Sequence, residues 1–358
     1  MISRSVHPAV LAVVRVCLVL AVPIAAAHEV GAQELRVGFL RASPGQTVSG
    51  LIEVAHPGGG TSIPVTLICG AKPGKVLGLV AGVHGYEYPP ILALVRIRAT
   101  IDPARLSGSL ILVHIANLPA FQKRLIYYGP SDWKNLNRVF PGDARGSLSE
   151  RIARVLTDEV IGRCDALIDL HCGDGNEALI PYSYWMISGD PKLDAASKEL
   201  ALAFGIEHII IDETRSKDPA RSLYFGNTAV LRGKPAVTTE SGYLGRTDEE
   251  DIVRNVRGIL SVMKLYKIME GTPDMVQNPV WIDKYEVVSS GRSGMFRPLV
   301  ERGYYVRAGQ RVGLLTDYFG NVLEEVRAPF TGIVLYIIGT PPANQGEPLF
   351  EVGRVKEE

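Results

Sequence analysis

The chain has 358 residues, 46% of them hydrophobic and 21% charged, a length beyond one typical domain and enough to bury a sizeable core. Its 38 lysines and arginines balance 38 aspartates and glutamates. With no net field and no local basic patch, the composition argues against nucleic acid or an anionic membrane surface as partner.

The opening stretch, MISRSVHPAVLAVVRVCLVLAVPIAAAHEVGAQE, sets Arg4 before an apolar run over about residues 9–27, with small residues at Ala25, Ala27 and Ala32. That anatomy reads as a secretory signal peptide over residues 1–32, cleaved after Ala27 or Ala32. It predicts an exported protein, periplasmic or secreted, with no integral membrane segment once the leader is removed. Arg15 interrupts a run already near the lower limit for spanning, which weighs against an uncleaved anchor. Cleavage discards Cys17 and leaves Cys69, Cys164 and Cys172, so at most one bridge forms within the chain and the fold rests on its core.

Over residues 35–268 short apolar runs alternate with longer helical patterns. IPVTLIC, VLGLVAGV, SLILVHIA, ALIDL, EHIII and PAVTT predict strands, several of them continuous apolar runs suited to a sheet covered on both faces. Residues 148–162 predict a helix, with Ile152, Val155, Leu156 and Val160 at helical spacing and Ser147 or Ser149 as cap. Residues 193–204 predict another that ends at Gly205, and residues 251–270 a third that ends at Gly271. An α/β sandwich over residues 33–271 follows. Beyond GTPDMVQNP, a Pro-, Gly- and Asn-containing linker, YEVVSS, RVGLLTD, EEVRAPF and GIVLYII predict a small all-β domain over residues 280–355.

Three predicted strands end in polar residues. VLGLVAGV delivers His84 and Glu87, ALIDL delivers His171 with Cys172 and Asp174 behind it, and PAVTT delivers Glu240. In open α/β sheets the ligand crevice lies beyond the carboxyl ends of strands, so these residues are candidates for one site. Two histidines and a glutamate leave zinc a fourth position for water, whose pKa the metal lowers while it polarises a carbonyl. Asp169, two residues before His171 and on the same strand face, is placed to orient the His171 ring. Taken alone, His-x-x-Glu is weak, and a polar turn at a strand end is the competing reading. The segment NLPAFQKRLIYYGPSDWKNLNRVFPGD gathers Arg124, Asn135, Asn137 and Arg138. An arginine fork suits a carboxylate and a neighbouring amide adds a hydrogen bond, although a solvated basic loop has the same composition.

In that order, GVHGYEYPP, NLNRVFPG, DALIDLHCG and TTESGYLG resemble the succinylglutamate desuccinylase/aspartoacylase family, relatives of the zinc carboxypeptidases, over roughly residues 50–350. The resemblance implies a mixed β-sheet sandwiched by helices, a β-rich C-terminal domain near the site, and one zinc ion per chain. His84, Glu87 and His171 match the zinc ligands, and Glu240 matches the general base and acid. Asn137 and Arg138 match the pair that holds a substrate carboxylate, and Arg124 the arginine that steadies the carbonyl oxygen. The chain departs from the pattern at Cys172 and Asp174 and in the spacing before Asn137. Its leader is unlike the cytoplasmic enzymes of arginine or N-acetylaspartate breakdown, so neither substrate is carried over.

The implied activity is zinc-dependent hydrolysis of an amide bond in an N-acyl amino acid or related small carboxylate. Within the same chemistry, a metallocarboxypeptidase or an amidase acting on cell-wall peptides is the alternative. Of another class is a secreted, non-catalytic binding protein with a vestigial zinc site, which would have no need to keep both Glu240 and Arg138. A thiol hydrolase is disfavoured, because in an extended segment His171 and Cys172 point to opposite faces. His114 reads as a core or pocket-floor histidine and His208 as strand edge; Tyr127, Tyr128, Trp133 and Tyr243 read as pocket or lid aromatics. RAGQRVGLLTD and RAPFTGIVLYI resemble a biotinyl/lipoyl-type barrel sandwich without an evident lysine for modification, which leaves a structural or site-capping role.

Overall fold

Residues 1–2 and 33–357 are described by the computed structural model, so the body of the signal-peptide reading lies outside the described residues. A hairpin of β1 (Leu35–Val37) and β2 (Leu40–Ala42) precedes β3 (Gln46–Val54), β4 (Thr61–Cys69) and β5 (Lys72–Ala81). Next come α1 (Tyr88–Thr100), β6 (Ser107–Val113), α2 (Leu118–Lys123), α3 (Leu148–Val155) and β7 (Ala166–His171). The α/β part closes with β8 (Glu177–Leu179), β9 (Tyr182–Met186), α4 (Pro191–Phe204), β10 (His208–Asp212), α5 (Phe225–Val230), β11 (Ala236–Glu240) and α6 (Glu249–Leu265). The C-terminal strands are β12 (Val280–Ser289), β13 (Gly294–Pro298), β14 (Tyr305–Val306), β15 (Arg311–Thr316), β16 (Val322–Arg327), β17 (Gly332–Ile338), β18 (Pro342–Ala343) and β19 (Pro348–Val355).

All six apolar runs of the α/β part form strands, and the reason is visible in their burial. Leu77, Leu79 and Ala81 of β5 pack with α1, α4 and α6 through Leu94, Ile97, Phe204, Ile259 and Val262. Val80 of the same strand faces the opposite layer, made by α3, the turn after it and α5 through Ile152, Val160, Phe225 and Ala229. Period-two alternation thus serves two cores from one apolar run, and the sheet is mixed and covered on both sides. Each fully buried leucine or isoleucine in these layers contributes about 1.5–3 kcal/mol.

Helix ends follow local chemistry. Asp190 caps α4 by accepting from the Lys192 and Leu193 amides, Pro191 starts it, and Gly205 ends it at φ 88°. The helix read over residues 251–270 stops earlier, at Leu265. Lys267 adopts φ 57°, and the Ile268 amide returns to the Met263 carbonyl, which closes the helix in a Schellman turn without glycine. The helix read over residues 148–162 is α3 followed by a π-helical turn, Leu156–Ile161.

Residues 280–355 are not set apart from the sheet. β12 pairs in parallel with β10, and β19, β17 and β14 continue antiparallel from it, so one 13-stranded sheet runs from β3 to β14. A second sheet, ordered β16-β15-β13-β18, faces these last strands across Phe296, Val312, Leu315, Ile337 and Phe350. The composition changes at the linker, yet Tyr182, Tyr184 and Ile210 share a core with Ile282, Leu335 and Tyr336. That shared core carries C-terminal side chains to the site. Among the described residues no helix is long and apolar enough to cross a membrane.

Candidate metal centre and its cavity

Strand register assembles the centre. β5, β7 and β11 run parallel side by side, with Ala81 opposite Leu170 and His171 opposite Glu240. Their carboxyl ends therefore stop at one level. His84 follows β5 by three residues and Glu87 is the residue before α1. The donor atoms of His84, Glu87 and His171 lie within 4.8 Å of one another, and all three residues are buried.

The imidazoles face the carboxylate with the same atom. His84 Nδ1 is 2.8 Å from Glu87 Oε1, and His171 Nδ1 is 2.9 Å from Glu87 Oε2. Behind each ring a polar group meets the other nitrogen. Asn135 Oδ1 is 3.1 Å from His84 Nε2, and Asp169 Oδ1 is 3.0 Å from His171 Nε2. Asp169 is itself held, Oδ2 accepting from the Gly226 amide at 3.2 Å and from the Thr238 hydroxyl at 3.3 Å. These contacts turn Nε2 of each ring toward an outer oxygen and Nδ1 of each ring toward Glu87.

Charge follows the same arrangement. Burial works against ionising Glu87, but His171 and His84 outweigh it and hold the carboxyl below its usual range. Burial likewise opposes a charged His171, and Glu87 and Asp169 overcome it to raise the ring well above its ordinary value. His84 is raised in the same way, mainly by Glu87. Glu87 Oε2 has no hydrogen-bond partner despite its closeness to His171. An orphaned buried carboxylate oxygen beside an imidazole nitrogen, with a second imidazole on the other oxygen of the same carboxylate, is the chemistry of a divalent-ion site, and a two-nitrogen, one-carboxylate set fits zinc with a position left open.

The centre opens into a cavity of about 540 Å³ that His84, Glu87, His171, Glu240, Asn137 and Arg138 help to line. Glu240 is raised well above the usual carboxylate range by burial, opposed by His171 and reinforced by Glu87 and Glu177. A carboxyl in that state beside a water site is suited to move protons. Asn137 Oδ1 accepts from the Phe225 amide at 2.9 Å, which turns its Nδ2 toward His171 Nε2 at 3.4 Å. Arg138 donates from Nη1 to the Asn137 carbonyl, and its guanidinium lies 4.5 Å from the Tyr224 ring centre.

Arg124 is the exception among the residues named from sequence. It ends α2 in the left-handed region at φ 51°, is exposed, and is absent from the cavity lining. Inside the cavity the second arginine is Arg215, paired with Asp212 and stacked 3.7 Å from the Tyr224 ring centre. The stretch DETRSKDPARS has no periodicity that would single it out.

Tyr127 and Tyr128 line the cavity, whereas Trp133 is exposed and Tyr243 stacks on Arg302 at 3.5 Å. The Tyr127 hydroxyl donates to Glu177 Oε1 at 2.7 Å. Burial raises Glu177 and pushes Asp174 up to about 7. His114 stands apart on the sheet, with Nε2 2.9 Å from Thr66 Oγ1, and burial lowers it to about 4. Cys69, Cys164 and Cys172 are all buried and free. Cys172 reaches the cavity wall, where burial and Glu87 raise its thiol well above the ordinary value.

A mixed sheet between helix layers, with a buried imidazole and carboxylate cluster at the strand ends, defines an α/β protein built around a candidate metal centre. Residues 73–266 match the model of the succinylglutamate desuccinylase/aspartoacylase catalytic domain, and the chain belongs to that family. It is 30% identical over 308 residues to the N-alpha-acetyl-L-2,4-diaminobutyric acid deacetylase of Halomonas elongata, covering 84% of this chain and 87% of that one. A succinylglutamate desuccinylase/aspartoacylase structure from Rhodobacter sphaeroides superposes with a TM-score of 0.76 at 27% identity, over 87% of this chain and 96% of that one. The product-bound ectoine utilization protein EutE (DoeB) of Ruegeria pomeroyi gives 0.76 at 25% identity, over 86% and 95%. Family and relatives together support a hydrolase of amide bonds, a deacylase in the broad sense.

Proposed function

We propose that the protein is a zinc-dependent deacylase that hydrolyses the amide bond of an N-acyl amino acid. The observation that carries this is the convergence of His84 Nδ1, His171 Nδ1 and the Glu87 carboxylate in one cavity with Glu240 and Arg138. The Halomonas relative, named for removing an acetyl group from an amino acid, supports the same class.

In this reading His84, Glu87 and His171 hold the zinc ion, with Asn135 and Asp169 fixing the two rings. A bound zinc ion supplies Lewis acidity, lowering the pKa of water and polarising the acyl carbonyl. Glu240 takes the proton from the attacking water and returns it to the leaving amine, a role that a raised carboxyl pKa suits near neutral pH. Arg138 holds the substrate carboxylate, with Asn137 beside it, and sets the scissile bond against the centre. Arg124 has no part in this scheme, because it lies outside the cavity.

Glu240→Gln tests the proposal. The variant is expected to bind one zinc per chain like the wild type while kcat falls about 10²–10⁴-fold, the usual span for a lost general base. A variant retaining more than a tenth of wild-type turnover removes Glu240 from this role. Hydrolysis of short peptides in preference to N-acyl amino acids would favour the carboxypeptidase reading instead. Export is proposed with it, and amino-terminal sequencing of the mature protein should begin at His28 or Gln33.

A further inference from the structure

The cavity contains a carboxylate that neither the metal cluster nor the proton transfer uses. Glu351 stands in β19, opposite Val287 of β12 and Tyr336 of β17. Its neighbours in PLFEVG are almost all apolar, and only 1% of its surface is exposed, yet it lines the cavity. Oε2 is 3.5 Å from the Tyr184 hydroxyl, and Oε1 has no hydrogen-bond partner. Among the described residues no lysine or arginine forms an ion pair with it; Arg215, the cation that acts on it, is paired with Asp212. The remaining carboxylates of the wall have occupations of their own. Glu177 accepts from Tyr127, and Glu347 accepts from the Asn344 amide and side chain.

A buried carboxylate with an open acceptor is unfavourable until a donor faces it, and a cation satisfies it best. Burial, reinforced by Glu177 and Asp212, pushes Glu351 up to about 8 against the pull of Arg215. An ammonium group brought alongside would return it to its charged form. The setting is an aromatic wall of the kind cations favour: Tyr184 stacks edge-on against both Tyr182 and Tyr285 and already carries the Arg215 guanidinium 5.1 Å from its ring centre.

We propose that Glu351 is the subsite for a cationic amino group, so that the cavity takes a zwitterionic N-acyl diamino acid. The substrate carboxylate lies at Arg138, the acyl carbonyl at the His84, Glu87 and His171 cluster, and the second amine at Glu351. The inference rests on the deacylase reading and adds to it the residue that selects the substrate. Positive charge at one end and negative charge at the other then fix the orientation of a short molecule without a deep apolar pocket.

The test compares Nα-acetyl-2,4-diaminobutyrate with N-acetylnorvaline, which puts a methyl where the first has its ammonium. Zinc-loaded wild type is expected to prefer the diamino compound at least 30-fold in kcat/KM. Glu351→Gln should lower that ratio at least 30-fold, mainly through KM, and Glu351→Met serves as a second variant if the amide disturbs folding. A wild type without the preference, or a ratio unchanged within threefold in the variants, overturns the assignment while leaving deacylation intact. If neither compound nor any other N-acyl amino acid is hydrolysed, the deacylase reading fails by itself. Calorimetry on the metal-free protein then decides Glu351 separately. Tighter binding of 2,4-diaminobutyrate than of norvaline, lost in Glu351→Gln, supports the subsite, and equal binding refutes it.

Discussion

Replacing Asp169 by asparagine changes two atoms and isolates what holds the His171 ring. In the wild type Oδ2 accepts from the Gly226 amide and the Thr238 hydroxyl, while Oδ1 lies 3.0 Å from His171 Nε2. An asparagine keeps its oxygen on the first two donors, so its amino group must face Nε2. Two N–H groups then oppose one another at hydrogen-bond distance. The ring relieves this by moving its proton to Nδ1, the atom that faces Glu87 and is needed as a ligand. Loss of an outer partner of this kind costs about 10–100-fold in metal affinity, or roughly 1.4–2.7 kcal/mol. Competition for zinc between the metal-free variant and a chromophoric chelator at fixed pH and salt measures the change. A thermal melt without metal checks that the fold is intact. Zinc affinity within threefold of the wild type would refute the reasoning, because the ring orientation would then owe nothing to Asp169.

Two further outcomes follow from the same geometry. Arg138→Ala should lower kcat/KM about 10–100-fold on substrates that carry a carboxylate, the value of a lost charge-assisted contact, and leave their amide analogues less affected. Arg124→Ala should change it less than threefold, and a larger loss would return Arg124 to the site despite its exposed position. Glu351 also makes stability depend on pH. Its folded value of about 8 lies above the ordinary 4.5, so the folded state holds more protons between these limits. The favourable contribution is complete below about pH 4.5 and disappears as pH rises to about 8, a loss of up to about 5 kcal/mol. Urea unfolding of metal-free Glu351→Gln should lack that slope and show a more stable protein than wild type at pH 9; parallel curves would show that the carboxyl is not desolvated.

What could be read from sequence divides along a physical line. Strand cores announce themselves, because a strand covered on both faces must be apolar throughout, and the register of parallel strands levels their ends. His84, His171 and Glu240 were therefore legible as neighbours before any coordinates. Asn135 was visible only as part of a polar loop, since nothing in NLNR reveals that its side chain turns back to His84 Nε2. α1 is not among the helices predicted from sequence, although the prolines Pro89 and Pro90 that open it are well tolerated in a first helical turn. Arg124 was named only through the family resemblance, and a motif carries no information about the left-handed cap that ends α2 there.

The separation of chemistry from selectivity in the chain explains why the motifs pointed to a reaction and left the substrate open. Every group in the proposed bond-breaking step lies before residue 241, on strand ends or in the loop after α2. The wall opposite draws Tyr285, Val287, Tyr336, Glu347 and Glu351 from the C-terminal strands. Those strands reach the cavity because β12 joins the sheet at β10, a contact between residues some seventy positions apart in sequence, and because β17 pairs with β8. A carboxylate inside an apolar strand, as in PLFEVG, was the available signal for Glu351. Burying a charge is costly, and such a residue in an apolar strand is tied to a partner or a ligand. With Arg215 committed to Asp212, Glu351 has no cationic partner among the described residues and its Oε1 is left open, so the chemistry of that position is decided by what enters the cavity.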